Sequence, residues 1–124
     1  MEIITYNLLE CDNPLGNVKQ IKNLLTNEEC NNIINYCNEY GNWINNRFLF
    51  YPATDLEIMK IEKLKPLLDK LVTKISNILK KEYDLVESYV KLKDMYLLKY
   101  DYENNNELKL HRDGCNFAFI ISLN

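Results

Sequence analysis

Residues 100–124, YDYENNNELKLHRDGCNFAFIISLN, carry the chain's single histidine. His111 and Asp113 are separated by one residue, and in an extended segment side chains two apart point to the same side. An imidazole and a carboxylate placed that way can converge on one cation. They are two of the three protein ligands in a 2-His-1-carboxylate set, whose open positions suit non-haem Fe(II) working on dioxygen. Arg112, between them, would face the opposite side and meet solvent or a carboxylate. An H-x-D arises often by chance, and a lone His/Asp pair is more commonly a surface contact. The elements that must position it therefore decide what it is worth.

Those elements form an ordered series. Residues 95–100 predict a strand, 101–106 a polar turn, and 108–110 a short approach to the pair. Asp101 and Glu103 sit on the turn with no partner base and are expected to be solvated. Residues 116–123, NFAFIISL, then carry large apolar side chains on both faces with no breaker, as a strand buried in a core does. A tyrosine-ending strand, a polar turn, H-x-D and a strand closing in Leu123-Asn124 resemble, in that order, the 2-oxoglutarate- and Fe(II)-dependent dioxygenases of the prolyl 4-hydroxylase and lysyl hydroxylase type. The lysyl hydroxylase catalytic domain is the nearer in wording, over the Tyr100 to His111 spacing, Phe117 and Leu123-Asn124.

The resemblance implies a fold class of α+β, with N-terminal helices packed on the first strands of a double-stranded β-helix of the jelly-roll or cupin-like kind. It implies His111 and Asp113 as metal ligands and Tyr100 beside the 2-oxoglutarate site. It also implies Fe(II), 2-oxoglutarate as co-substrate and ascorbate. The activity would be that of an oxidoreductase. A prolyl or lysyl side chain of a protein or peptide would be hydroxylated while 2-oxoglutarate loses CO₂ to become succinate. In these enzymes the second histidine and the basic residue that anchors 2-oxoglutarate follow the H-x-D on later strands. Since His111 is the only histidine, the expectation is a single domain, residues 1–124, representing the N-terminal part of such an enzyme and inactive alone. The alternatives are a non-enzymatic binding or structural domain derived from that fold, and a dioxygenase acting on a nucleobase or small molecule.

Composition bounds these readings. A chain of 124 residues with 47% hydrophobic and 27% charged residues has the size and make-up of one globular domain. Its net charge of -3 offers no general attraction to phosphate backbones, so a nucleic-acid partner is disfavoured. Residues 1–9 lack the basic and apolar regions of a signal peptide. No stretch approaches the ~20 apolar residues of a membrane span. Cys11, Cys30, Cys37 and Cys115 show no C-x-x-C or other zinc-ligand spacing. On a helix Cys30 and Cys37 would lie about 10 Å apart, beyond the ~7 Å reach of a disulfide. Free thiols, a reducing compartment and a cytoplasmic location follow as expectations.

Upstream, residues 2–10 predict an edge strand or tail, 13–16 a turn at Pro14, and 18–25 a short strand. Thr26-Asn27-Glu28-Glu29 is a capping box. Cys30, Ile33, Ile34, Cys37 and Tyr40 then recur at helical spacing up to Gly41, placed for a left-handed cap. This capped segment also resembles the opening helix of prolyl hydroxylase catalytic domains. Residues 43–53, with Arg47 among aromatic residues and Pro52 unsuited to a central strand, predict a loop with one edge strand. Residues 55–65 predict the beginning of a helix. A new helix is expected at Pro66, since proline is excluded from a helix interior. Leu67, Leu68, Leu71, Val72, Ile75, Ile78 and Leu79 give that helix a wide apolar face, more simply core packing than a membrane or partner surface. Residues 87–93 alternate as a strand.

Overall fold

Proline lacks a backbone N–H and so suits the first turn of a helix, where that donor would have no partner. The computed structural model places Pro66 there, at the start of a helix that runs Lys65–Glu82. The structure describes residues 2–7, 17–50, 52–85, 90–103 and 105–124. Within them the order is β1 (Glu2–Asn7), β2 (Asn17–Lys22), α1 (Asn27–Tyr40), β3 (Thr54–Glu57), two single 3₁₀ turns (Ile58–Lys60 and Glu62–Leu64), α2 (Lys65–Glu82) and β4 (Tyr96–Lys99). No helix among the described residues is long and apolar enough to cross a membrane.

The two helices owe their positions to local chemistry. The Thr26 backbone N–H donates to Glu29 Oε2 at 2.8 Å and the Glu29 N–H donates to Thr26 Oγ1 at 3.1 Å. Two donors that α1 would leave open are thereby satisfied, a contribution of about 1 kcal/mol. At the other end the Gly41 N–H bonds to the Cys37 carbonyl. Gly41 has φ 66° as the cap position predicts, but ψ −140° takes the chain out of the left-handed helical region and into an extended exit. Ile33 and Cys37 are the buried residues of α1, and Leu68 and Leu71 those of α2. With Leu56, Ile58, Ile61 and Leu64 they form one core, against which Trp43, Leu97, Ile121 and Leu123 pack from the side.

The sheets are small. β1 and β2 pair antiparallel from Glu2 opposite Lys22 to Asn7 opposite Asn17. Asn23, at φ 59°, turns the chain out of β2, so the strand expected over 18–25 stops at Lys22. Lys19 fastens this hairpin to the end of α2. Its ammonium donates to Thr5 Oγ1 at 2.9 Å, pairs with Glu82 at 3.5 Å and lies 5.7 Å from the Tyr83 ring centre. β3 and β4 pair antiparallel, from Thr54 opposite Lys99 to Glu57 opposite Tyr96. Among the described residues the strands form two separate two-stranded sheets, β1–β2 and β3–β4.

Three expectations are corrected. Residues 55–65 do not begin a helix. They open with β3, because the Asp55 backbone exchanges hydrogen bonds of 2.8 and 2.9 Å with Ile44 and its carboxylate is taken up by Arg47. Residues 116–123 do not form a buried strand. Their backbone has no ladder, and although Ile121 and Leu123 reach the core, Ile120 is 98% exposed. Residues 90–93 are irregular rather than strand, and the rest of that expected strand, like the turn at 13–16, lies outside the described residues.

Candidate functional site

The segment that carries the candidate ligands has no regular structure from residue 105 onward, so strand alternation does not aim them. Side-chain and backbone tethers do. The Asp101 N–H donates to the Asn105 carbonyl at 3.2 Å, and the Glu103 N–H to Asp101 Oδ1 at 3.0 Å, which closes the polar turn. The Asn105 amide donates to Thr54 Oγ1 at 3.2 Å, and that hydroxyl donates to Asn45 Oδ1 at 2.8 Å. The start of the segment is thereby fixed to the buried Thr54 of β3.

His111 and Asp113 come together at the far end. His111 Nδ1 lies 2.8 Å from the Lys109 carbonyl oxygen, and His111 Nε2 lies 3.2 Å from Asp113 Oδ1. Both ring nitrogens therefore face oxygen acceptors, whereas a neutral imidazole has one N–H to give. With the proton on Nδ1, bonded to Lys109, the Nε2 lone pair looks toward a carboxylate oxygen. Either a second proton or a shared cation relieves that arrangement. A backbone carbonyl that fixes the far nitrogen is also the usual support of a metal-binding histidine. Two metal bonds of about 2.1 Å at a right angle set their donors about 3 Å apart, close to the separation here. The donor set thus fits a divalent cation in part. Among the described residues no group of three His, Cys, Asp or Glu side chains is assembled for one.

The other candidates stand further off. Tyr100, just past β4, is 52% exposed, and among the described residues no hydrogen bond joins it to the pair. Arg112, Cys115 and Asn116 are exposed. Cys30, Cys37 and Cys115 are free thiols, and Cys11 lies outside the described residues. Burial pushes the Cys37 thiol up to about 11. Since the thiolate is the reactive form, iodoacetamide followed by peptide mass spectrometry is expected to label Cys115 first and Cys37 only on unfolding. Equal rates in the native protein would show that water reaches the α1 face.

A second polar centre escaped the sequence reading. Asp55 is 1% exposed, and Arg47 donates from Nε to Asp55 Oδ1 at 2.8 Å and from Nη1 to Glu57 Oε1 at 2.9 Å. Lys60 meets the other Glu57 oxygen at 2.8 Å, and the guanidinium lies 5.1 Å from the Tyr96 ring centre. Lys60 first, and Arg47 after it, hold the Glu57 carboxyl below the usual carboxylate range, while the hydrogen bond to Asp55 raises Arg47 further. A shallow cleft of about 130 Å³ opens beside this network, lined by Tyr40, Asn42, Ile44, Arg47, Glu57 and Lys60. Its two cations and two carboxylates are matched to one another, and through Arg47 they tie the loop before β3 onto that strand. The alternation of Asp55 and Glu57 with Leu56 and Ile58 was the signal that could have found it.

Compared with protein-family models, with curated proteins and with solved structures, the chain finds no match in any of the three.

Proposed function

We propose that His111 and Asp113 supply two protein ligands of a non-haem Fe(II) centre in a 2-oxoglutarate-dependent dioxygenase that hydroxylates a prolyl or lysyl side chain of a protein or peptide in the cytoplasm. The approach of Nε2 to Oδ1, with Nδ1 held by a backbone carbonyl, is the observation that supports this reading. The wording of residues 95–124 supports the choice of family. On this reading β3 and β4 begin a double-stranded β-helix, and Tyr100 lies toward the co-substrate. The second imidazole must come from outside these residues, since the sequence has one histidine. Bound iron, with 2-oxoglutarate, O₂ and ascorbate as reductant, would supply the oxidation. The chain's own part is to hold Nδ1 on the Lys109 carbonyl and to set Nε2 and the Asp113 carboxylate side by side.

Anaerobic calorimetric titration with Mn(II) or Fe(II) tests the pair. Saturable binding is expected, weaker than at a site of three protein ligands, and weakening further in acid as protons compete for the same nitrogen. His111→Ala and Asp113→Ala should each abolish it. Binding that survived His111→Ala would overturn the assignment.

A further inference from the structure

We propose that Lys93 is a positioning residue for the His111–Asp113 pair, an inference that rests on the metal-ligand reading above. The segment from Asn105 to Asn116 has no ladder to hold it. Its start is tethered through Asn105 to Thr54. Its far side is tethered by the Lys93 ammonium, which donates to the Gly114 carbonyl at 2.8 Å across 21 positions of sequence. The carbonyl so held lies one residue past Asp113, in the Gly114–Cys115 peptide, so the tether limits how far the chain that carries Asp113 can move.

The chemistry of the contact suits this role. An ammonium that bonded the Asp113 carboxylate itself would occupy the oxygens a metal needs. Lys93 bonds the neighbouring backbone instead, and the Asp113 carboxylate is turned to the His111 ring at 3.2 Å. Gly114 leaves room for the contact, since a Cβ there would stand 3.1 Å from Lys93 Nζ and the ammonium would have to shift by a few tenths of an ångström. Lys93 is exposed and lies outside the core, so its removal can loosen the loop without unfolding the domain. It acts through the backbone and touches neither ligand.

The test is Lys93→Met, with Lys93→Arg as the conservative partner, in the full chain. Three readouts are used: the imidazole ¹⁵N and ¹H signals of the metal-free protein, Mn(II) affinity, and the thermal unfolding midpoint. The single histidine makes the imidazole signals unambiguous. Lys93→Met is expected to move those signals toward a solvated ring and to weaken Mn(II) roughly tenfold, the lower end for groups that orient ligands, with the unfolding midpoint unchanged. Lys93→Arg, which keeps a donor for the Gly114 carbonyl, should restore both. Parent-like imidazole signals and Mn(II) affinity in Lys93→Met would overturn the positioning role. Absence of His111-dependent Mn(II) binding in the parent would instead overturn the metal reading. In that case the imidazole signals of Lys93→Met still report whether Lys93 holds the loop.

Discussion

Arg47→Met is expected to destabilise the fold by about 3–4 kcal/mol, because removing one partner of a buried ion pair leaves the other charge in the interior without compensation. The charge left behind is the Asp55 carboxylate, 1% exposed, whose Oδ1 is held by Arg47 and whose Oδ2 has no hydrogen-bond partner among the described residues. The reverse change, Asp55→Asn, is expected to cost about half as much. Arg47 keeps Glu57 and its side chain retains some contact with water. Since domains of this kind are stable by only about 5–15 kcal/mol, the Arg47 variant should be close to the limit of folding. Urea unfolding reads both variants as a shift in midpoint at constant slope. An Arg47→Met protein within about 1 kcal/mol of the parent would mean that water reaches Asp55 and that the pair is a surface contact.

The asymmetry between these two variants also explains which parts of the fold were legible. The Thr26–Glu29 box and Pro66 act within one turn of chain, and the stripe from Leu67 to Leu79 repeats at the helical period. Both helices could therefore be placed from neighbours in sequence. β3 could not. A carboxylate at position 55 signals surface until Arg47, eight residues back, is known to neutralise it. The run at 116–123 failed for the opposite reason. Its hydrophobicity states that it needs cover, but a strand exists only where another backbone accepts its hydrogen bonds. Of the site, the two-residue spacing of His111 and Asp113 was visible, and the structure brings the pair together. Strand alternation was not the cause, and neither the Asn105–Thr54 tether nor the Lys93–Gly114 tether leaves a mark in local sequence.

The second large effect concerns turnover. Residues 1–124 alone are expected to release no succinate from 2-oxoglutarate, and a polypeptide that adds a second imidazole and a cation for the co-substrate's distal carboxylate is expected to do so. A centre with two protein ligands holds its metal loosely, and 2-oxoglutarate needs a fixed positive group to pair with its far end. The comparison is succinate formation by residues 1–124, by the longer polypeptide, and by the longer polypeptide carrying Asp113→Ala, which should be inactive. Robust succinate release by residues 1–124 would refute the facial-triad reading. A silent longer form, with every peptide offered, would move the weight to a non-enzymatic domain built on the same fold.

Lys19 has a consequence for how the molecule opens. The β1–β2 ladder is satisfied entirely within the hairpin, and Ile3, Ile4 and Ile21 are only half buried. Parting the hairpin from the rest of the fold costs the contacts of the Lys19 ammonium with Glu82 and Tyr83 and the cover of those isoleucines, but no backbone hydrogen bond of β3, β4 or either helix. Domains open in such sub-global units at free energies well below that of complete unfolding. Amide exchange in β1 and β2 would then report the hairpin's own fraying, and a slow-exchanging probe of the whole domain has to be sought around Leu56, Leu64 and Leu68, where opening and unfolding are the same event.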